Sequence, residues 1–482
     1  MKKWIGLSAV LAVVLGSGYY GMGVMTERTL KKNIDVLNQS DGVSVKLQHY
    51  HRGWFHSHAD LKWTLKVPHK SEQQQGKVVD KMYDVDVPLD IFHGPIIVTN
   101  STLKFGLGYA QSNVILPEVY EQQFKAVYDK NSTIPPLSIS VFVNYLAKTT
   151  IELNIPSFKL IAKEGKSEFK WLGMHVTIAV SANKKHLQGQ LMVKGFTWFH
   201  DGMKGIHGPV NSDFDLSQGE DDLYLGDAHL HLPSLILFKD QQKTASLTDA
   251  HLNSKSNVKD GLYNTSLSAT IKRATLQNRQ YGSSSLDISI RNLDANTLAK
   301  MNRKLNESTN FSESARQRVF LSLIPDLPEL LCKGAQLKIS HFELNLPEGK
   351  LNADVNIELP NEQLSNPFQL LQKINGEGRI TVSSAVLTHW LQQPIRQKIL
   401  TTMKSELAVP NSAPVSVVPQ SNALPTEHIE AQVTTKTTEK IQELIHLGVL
   451  TQVGSDYVLI LKFSKGKLFV NDHPFTPSML VI

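Results

Sequence analysis

Cys332 is the only cysteine in 482 residues, so no disulfide within the chain can staple the fold or report an oxidising compartment. Its apolar neighbours Leu330 and Leu331 predict a small buried hydrophobe, with Lys333 as the one adjacent base and no activator for a thiolate. No G-x-S-x-G elbow, H-E-x-x-H helix, Walker A loop or C-x-x-C pair occurs. Motif-borne serine hydrolases, zincins, P-loop NTPases and thiol oxidoreductases are thereby excluded. A concentrated basic face is missing too. The 50 basic and 44 acidic residues leave +6, and Lys159, Lys163, Lys166 and Lys170 form the nearest thing to a stripe. Aromatics are 7% of the chain and do not interleave with that stripe, which argues against nucleic acid as a partner. A hydrophobic content of 41% with 20% charge describes a folded chain, not a disordered one.

Charge is absent in one further place, the run from Trp4 to Thr26 that follows Lys2-Lys3. As a helix, residues 4–25 would extend about 33 Å, enough to cross a hydrocarbon core. The run exceeds a usual signal h-region and no A-x-A cleavage site follows it, so residues 1–25 are expected to be an uncleaved signal-anchor. Gly16-Ser17-Gly18 offers the competing cleavage site. The short tail and the large following domain favour an N-in orientation, although Arg28, Lys31 and Lys32 nearly balance the leading lysines. Gly16-Ser17-Gly18-Tyr19-Tyr20-Gly21 matches G-x-G-x-x-G, but without a preceding strand or a soluble cleft the match is chance. Small residues spaced by four (Ser8, Ala12, Gly16; Ala9, Val13, Ser17, Gly21) are compatible with a homodimer, and equally with ordinary anchor composition.

Beyond the anchor the pattern is period two. Leu337, Ile339, Phe342, Leu344 and Leu346 lead into Pro347-Glu348-Gly349-Lys350, and Leu351, Ala353, Val355, Ile357 and Leu359 follow with polar partners between them. Two such runs across a Pro/Gly turn predict a hairpin with one wet face. Similar runs occupy 43–48, 58–67, 263–271 and 286–291. Helical spacing predicts amphipathic helices over 295–306 with Asp294 as N-cap, over 312–322, over 388–406 with Pro394 kinking or starting it, and over 435–447 ended by Gly448. Residues 457–463, a Ser464-Lys465-Gly466 turn and 467–470 read as a closing hairpin. The expected class is α+β and β-rich: an N-terminal single transmembrane helix, then elongated antiparallel sheets with a few amphipathic helices. The expected division is an anchor over 1–25, a strand-rich periplasmic lobe over 26–290, and a mixed lobe over 291–482 with a Pro-rich loop at 408–427.

Chemistry has few footholds. In a strand, His49 and His51 share a face, as do His56 and His58, and His229 with His231 makes a further pair. Such spacing can reach a zinc ion, but a third ligand and a supporting carboxylate are needed, and the sequence places neither Asp60 nor Asp227 beside them. No catalytic residue and no cofactor is assigned. His93-Gly94-Pro95 recurs as His207-Gly208-Pro209, too short a match for a repeat.

The segment Tyr50-His51-Arg52-Gly53-Trp54-Phe55 resembles the Y-x-R-G-x-F strand of the YdgA/YihF family of Gram-negative envelope proteins of unknown function. The likeness continues at His93-Gly94-Pro95, at Leu293-Asp294-Ala295, at the 337–359 hairpin and at Gly466-Lys467-Leu468-Phe469-Val470-Asn471. It implies an inner-membrane protein held by residues 4–25 in a single pass with its C-terminal domain in the periplasm. It carries over no catalytic residue, so Tyr50, Arg52, Gly53, His93, Gly94 and Pro95 are read as structural: Gly53 for a bend or bulge, Arg52 for pairing with a carboxylate or carbonyl. The expected function is a non-enzymatic envelope scaffold or a binder of lipid or another hydrophobic ligand. The alternatives are a metal-dependent hydrolase built on the histidines and a protein–protein adaptor in envelope assembly.

Overall fold

Gly53, Trp54 and Phe55 turn β1 (Val43–Arg52) back along β2 (His56–Lys70), and the Gly53 N–H closes the turn on the His56 carbonyl at 2.9 Å. A Cβ on Gly53 would stand 2.4 Å from that carbonyl oxygen, which explains the glycine. A bulge between Leu47 and His49 shifts the parity of β1, so Val45, Leu47, Tyr50 and Arg52 share one side with Ser57, Ala59 and Leu61. β3 (Val78–His93) pairs along the length of β2. β4 (Ile96–Val98) and β5 (Leu103–Phe105) form a small hairpin, and β6 (Gly108–Val114) returns beside β3. The computed structural model describes residues 18–32, 34–35, 38, 43–70, 78–99, 102–114, 118–133, 135, 137–219, 223–307, 313–363, 367–407 and 426–476.

The chain forms two compact units, 1–247 and 248–482. In the first, an antiparallel meander continues from β6 through Leu137–Val143, Thr149–Ile155, Met174–Val180, His186–Val193, Val210–Gln218 and Tyr224–Lys239. A second bank, Phe158–Ile161, Ser167–Trp171, Phe196–His200 and Met203–His207, pairs in the same order and ends on residues 235–239 of the last strand. Register runs unchanged from bank to bank: Met174 faces Ile155 and Val193, and Trp171 faces Phe158 and Phe196. The two banks are therefore long strands broken at a common level by Pro156, Gly173, Gly195 and Gly208-Pro209, while Tyr224–Lys239 runs through that level at Pro233. Proline withholds a ladder donor, and Gly173 and Gly195 adopt φ of 126° and 112°. The second HGP triplet lies on this crease.

In the second unit, Leu262–Leu276, Ser284–Asp294, Gln336–Leu346, Gly349–Glu358, Asn375–Ser383, Asp456–Ser464 and Lys467–Val470 pair in sequence. Helices cover part of this sheet. Those at Ser384–Leu407 and Thr426–His446 bury Val386, Ile441 and Leu444 against Val382, Tyr457 and Val470. The helix Ala295–Glu307 is capped by Asp294, whose Oδ1 accepts from the Thr297 N–H at 2.9 Å.

The expected transmembrane helix is corrected, and with it the single-pass inner-membrane localisation. Among the described residues no helix is long and apolar enough to cross a membrane. Residues 4–17 of the expected anchor, with the stripes at 8–17, lie outside the described residues. Residues 18–25 belong to a helix, α1 (18–32), that runs on through Glu27, Arg28, Lys31 and Lys32. Leu30, together with Ile34 just beyond, packs on Val45, Leu61 and Val87, so this segment covers the sheet. Of the Pro-rich stretch, 408–425 also lies outside the described residues.

The helix expected over 435–447 begins at Thr426 instead. Hydroxyls of Thr434, Thr435, Thr437 and Thr438 each donate to the carbonyl four residues back at 2.7–3.0 Å, which satisfies them within a helix that their propensity disfavours. The helix expected from 388 starts at Ser384 and passes through Pro394. Cys332 is half-buried, its thiol donating to the Glu329 carbonyl.

Candidate functional site

The two motifs Y-x-R-G-x-F and H-G-P, forty residues apart, meet under α1. The His93 N–H donates to the Phe55 carbonyl at 3.1 Å, and Ser57 Oγ and His93 Nε2 are hydrogen-bonded at 3.0 Å with both side chains buried. The Tyr50 hydroxyl and His93 Nδ1 are buried without a partner among the described residues. Burial holds the Tyr50 pKa above its ordinary value, and the neighbouring Ser57 hydroxyl opposes this. Burial likewise pushes the His93 imidazole below its ordinary value. The Tyr19 backbone opposes that shift, and the charges of His56 and Arg52 reinforce it.

Helix α1 fits because glycines make room. A Cβ at Gly94, where φ is +120°, would stand 1.7 Å from the Tyr19 ring, and one at Gly23 would stand 2.9 Å from the His93 ring. Tyr19 packs edge-on to Phe55 with ring centroids 4.7 Å apart, and its hydroxyl donates to the Ile96 carbonyl at 2.9 Å. Arg52 reaches Glu27 at 3.2 Å and lies over the Tyr20 ring at 5.0 Å. Pro95 follows at the break between β3 and β4, and its carbonyl accepts from the Tyr145 hydroxyl. Ser57, Tyr19, Tyr20 and Gly23 were not singled out from the sequence for this cluster.

The histidines occupy the opposite side of the same strands. His51 faces His58, which faces Asp90, and the row continues through Gln111, Ser140, Glu152, Thr177, Gln190 and Asp213 to His229. Every member is polar. His58 binds Asp90 at 3.2 Å and Asp60 at 3.2 Å through its two ring nitrogens, His56 lies 3.4 Å from Asp90, and His49 lies 3.8 Å from Asp60. Asp60, which the sequence could not place, is therefore present, with Asp90 beside it. Even so, these four histidines and two aspartates do not bring three ligand atoms within 4.8 Å of one another. His229, and His231 opposite Asn211, stand eight strands further along, roughly 38 Å measured through the sheet at about 4.8 Å per strand. The histidine pairs do not form one site.

The family description "bacterial protein of unknown function", DUF945, matches residues 1–478. The chain belongs to that family. No curated protein matches it.

The neighbouring row in this DUF945 chain is apolar across the same strands: Ile91, Ala110, Val141, Ile151, Ile178, Gly189, Phe214 and Ala228. Rows on either side of it add Ile139, Leu153, Val176 and Leu191, then Val143, Val180, Leu187 and Leu216. From Val141 outward these side chains are only half-buried. Among the described residues from 98 to 247, Leu223 is the one hydrophobic residue that reaches full burial. Across the crease, Phe158, Trp171, Phe196 and His207 stack as a ladder with centroids 6.1, 6.0 and 4.6 Å apart, and Phe169 packs on three of them. The alternation Phe169-x-Trp171 is the local sequence signal for this ladder. Only strand pairing shows that the rings align.

Proposed function

We propose that this protein is a non-enzymatic binder of acyl chains or similar hydrophobic ligands, seated on the apolar rows of the 1–247 unit. The observation that carries the reading is a sheet face of Val, Ile, Leu and Phe spanning six strands that stays half-exposed. A soluble sheet normally covers such a face with a second layer, and a large exposed apolar surface marks a binding site. The paired motifs at Tyr50–Phe55, His93–Pro95 and Gly466–Asn471 support the narrower YdgA/YihF likeness within the family, which adds no catalytic residue to the reading.

Gentle purification of the full chain followed by mass spectrometry of an organic extract tests it. Co-purifying lipid or fatty acid at near-stoichiometric amounts is expected. Ile178→Asp, at the centre of the apolar row, should lower that amount and weaken binding of a fluorescent fatty acid at least about tenfold, the effect of one desolvated charge in an apolar site. A clean extract combined with no saturable binding of the fluorescent fatty acid would end the proposal.

A further inference from the structure

One end of the 1–247 unit carries large apolar side chains that stay exposed among the described residues. Trp54 and Phe55, 61% and 60% exposed, sit in the turn between β1 and β2. Ile96 pairs with Phe105 and Val98 with Leu103, so this hairpin shows four exposed apolar side chains on one side. Tyr145 and Leu146, the latter 81% exposed, occupy the turn after Leu137–Val143. These turns belong to one surface: Tyr19 touches Phe55 and bonds to Ile96, while Tyr145 bonds to Pro95.

We propose that this end is a docking tip for an anionic lipid surface, inserting its turns into the headgroup region without spanning the bilayer. Charge supports that occupant. Residues 52–56, 93–108 and 142–148 contain Arg52, Lys104 and Lys148 and no aspartate or glutamate, and two acids that reach them are engaged, Glu27 by Arg52 at 3.2 Å and Asp90 by His56 at 3.4 Å. Lys104 keeps its stem along the hairpin with Nζ 4.8 Å from the Tyr109 ring and 5.2 Å from that of Phe142, an amphipathic posture suited to a headgroup boundary. Exposed Trp and Tyr are the side chains that settle at such boundaries. A protein partner would more commonly meet a rim of mixed charge. The proposal stands apart from ligand binding on the apolar rows, because the tip lies at the strand ends.

The uncharged residues 4–17 join the described chain at Gly18, beside this end, so pelleting with vesicles would not by itself identify the tip. Site-specific probes do. In full-length Cys332→Ser protein, an environment-sensitive fluorophore is placed at Val98→Cys, at Leu146→Cys or at Glu164→Cys, the last in the turn that joins Phe158–Ile161 to Ser167–Trp171 at the far end of the second bank. Vesicles of phosphatidylglycerol with phosphatidylethanolamine should shift the first two to the blue with at least about a twofold gain in intensity, the response to leaving water for the interface. The third should not respond, and neutral phosphatidylcholine vesicles should give a weaker shift. Val98→Asp with Leu146→Asp should cut partitioning at least about tenfold while leaving co-purified lipid unchanged. Unshifted probes at 98 and 146 on protein that still pellets would overturn the proposal, as would an equal shift at 164 or capture of the tip by a protein in place of vesicles.

Discussion

Gly94→Ala is the sharpest probe of how α1 is held. At φ of +120° an alanine is strained by about 1–3 kcal/mol. Its Cβ would also fall 1.7 Å from Tyr19 Cε1, so the ring must leave. Departure forfeits the edge-on contact with Phe55, worth about 0.5–1.5 kcal/mol. It also forfeits the hydrogen bond to the Ile96 carbonyl, worth about 0.5–1.5 kcal/mol net. The substitution should therefore destabilise the first unit by about 2–6 kcal/mol, read as a lower urea midpoint together with faster amide exchange in residues 19–32. Tyr19→Ala alone should cost about 1–3 kcal/mol. Because Gly94→Ala has already expelled the ring, the double variant should match Gly94→Ala to within about 0.5 kcal/mol. If the two costs simply add, Tyr19 does not sit over Gly94 and the docked helix is wrong.

Ser57→Ala leaves His93 Nε2 buried without its partner and should cost about 1–3 kcal/mol by chemical denaturation. The folded state of His93 has a pKa below the ordinary 6.5, so the unfolded chain takes up a proton that the folded chain refuses. Its contribution is present in full above about pH 6.5 and declines as pH falls toward the depressed folded value. Melting scans from pH 7.5 to 5 should show this loss, and His93→Gln should flatten it. Asp294→Ala removes the cap on Thr297 and should cost the second unit about 1 kcal/mol, with Asp294→Asn retaining most of it. Phe196→Ala interrupts the aromatic ladder between Trp171 and His207 and should red-shift and broaden the tryptophan emission as Trp171 gains water. An unchanged spectrum would mean that the rings do not stack.

Local pattern was legible wherever neighbours in sequence decide the outcome. The 337–359 alternation appears as Gln336–Leu346 paired with Gly349–Glu358, and the turn at 464–466 has positive φ at Lys465 and Gly466. Asp294 caps the helix that its position announced. Helix α1 was misread because Tyr19, Tyr20 and Gly23 continue an uncharged run, and hydropathy cannot distinguish a helix facing lipid from one facing Phe55 and His93. The candidate site was less legible still. His58 and Asp90 are thirty-two residues apart and touch only because β2 and β3 pair in one particular register.

Composition and period two alone determined that the chain is folded, lacks a disulfide, carries no recognisable catalytic motif, and contains strands with one apolar side. Those properties depend on each residue and its near neighbours. Tertiary pairing decided that the apolar sides line up across eight strands, that His229 and His231 lie far from the His49–His58 group on the polar side, and that two HGP breaks serve different places in one unit. Pairing partners lie tens of residues away, and a one-residue slip would exchange the two faces.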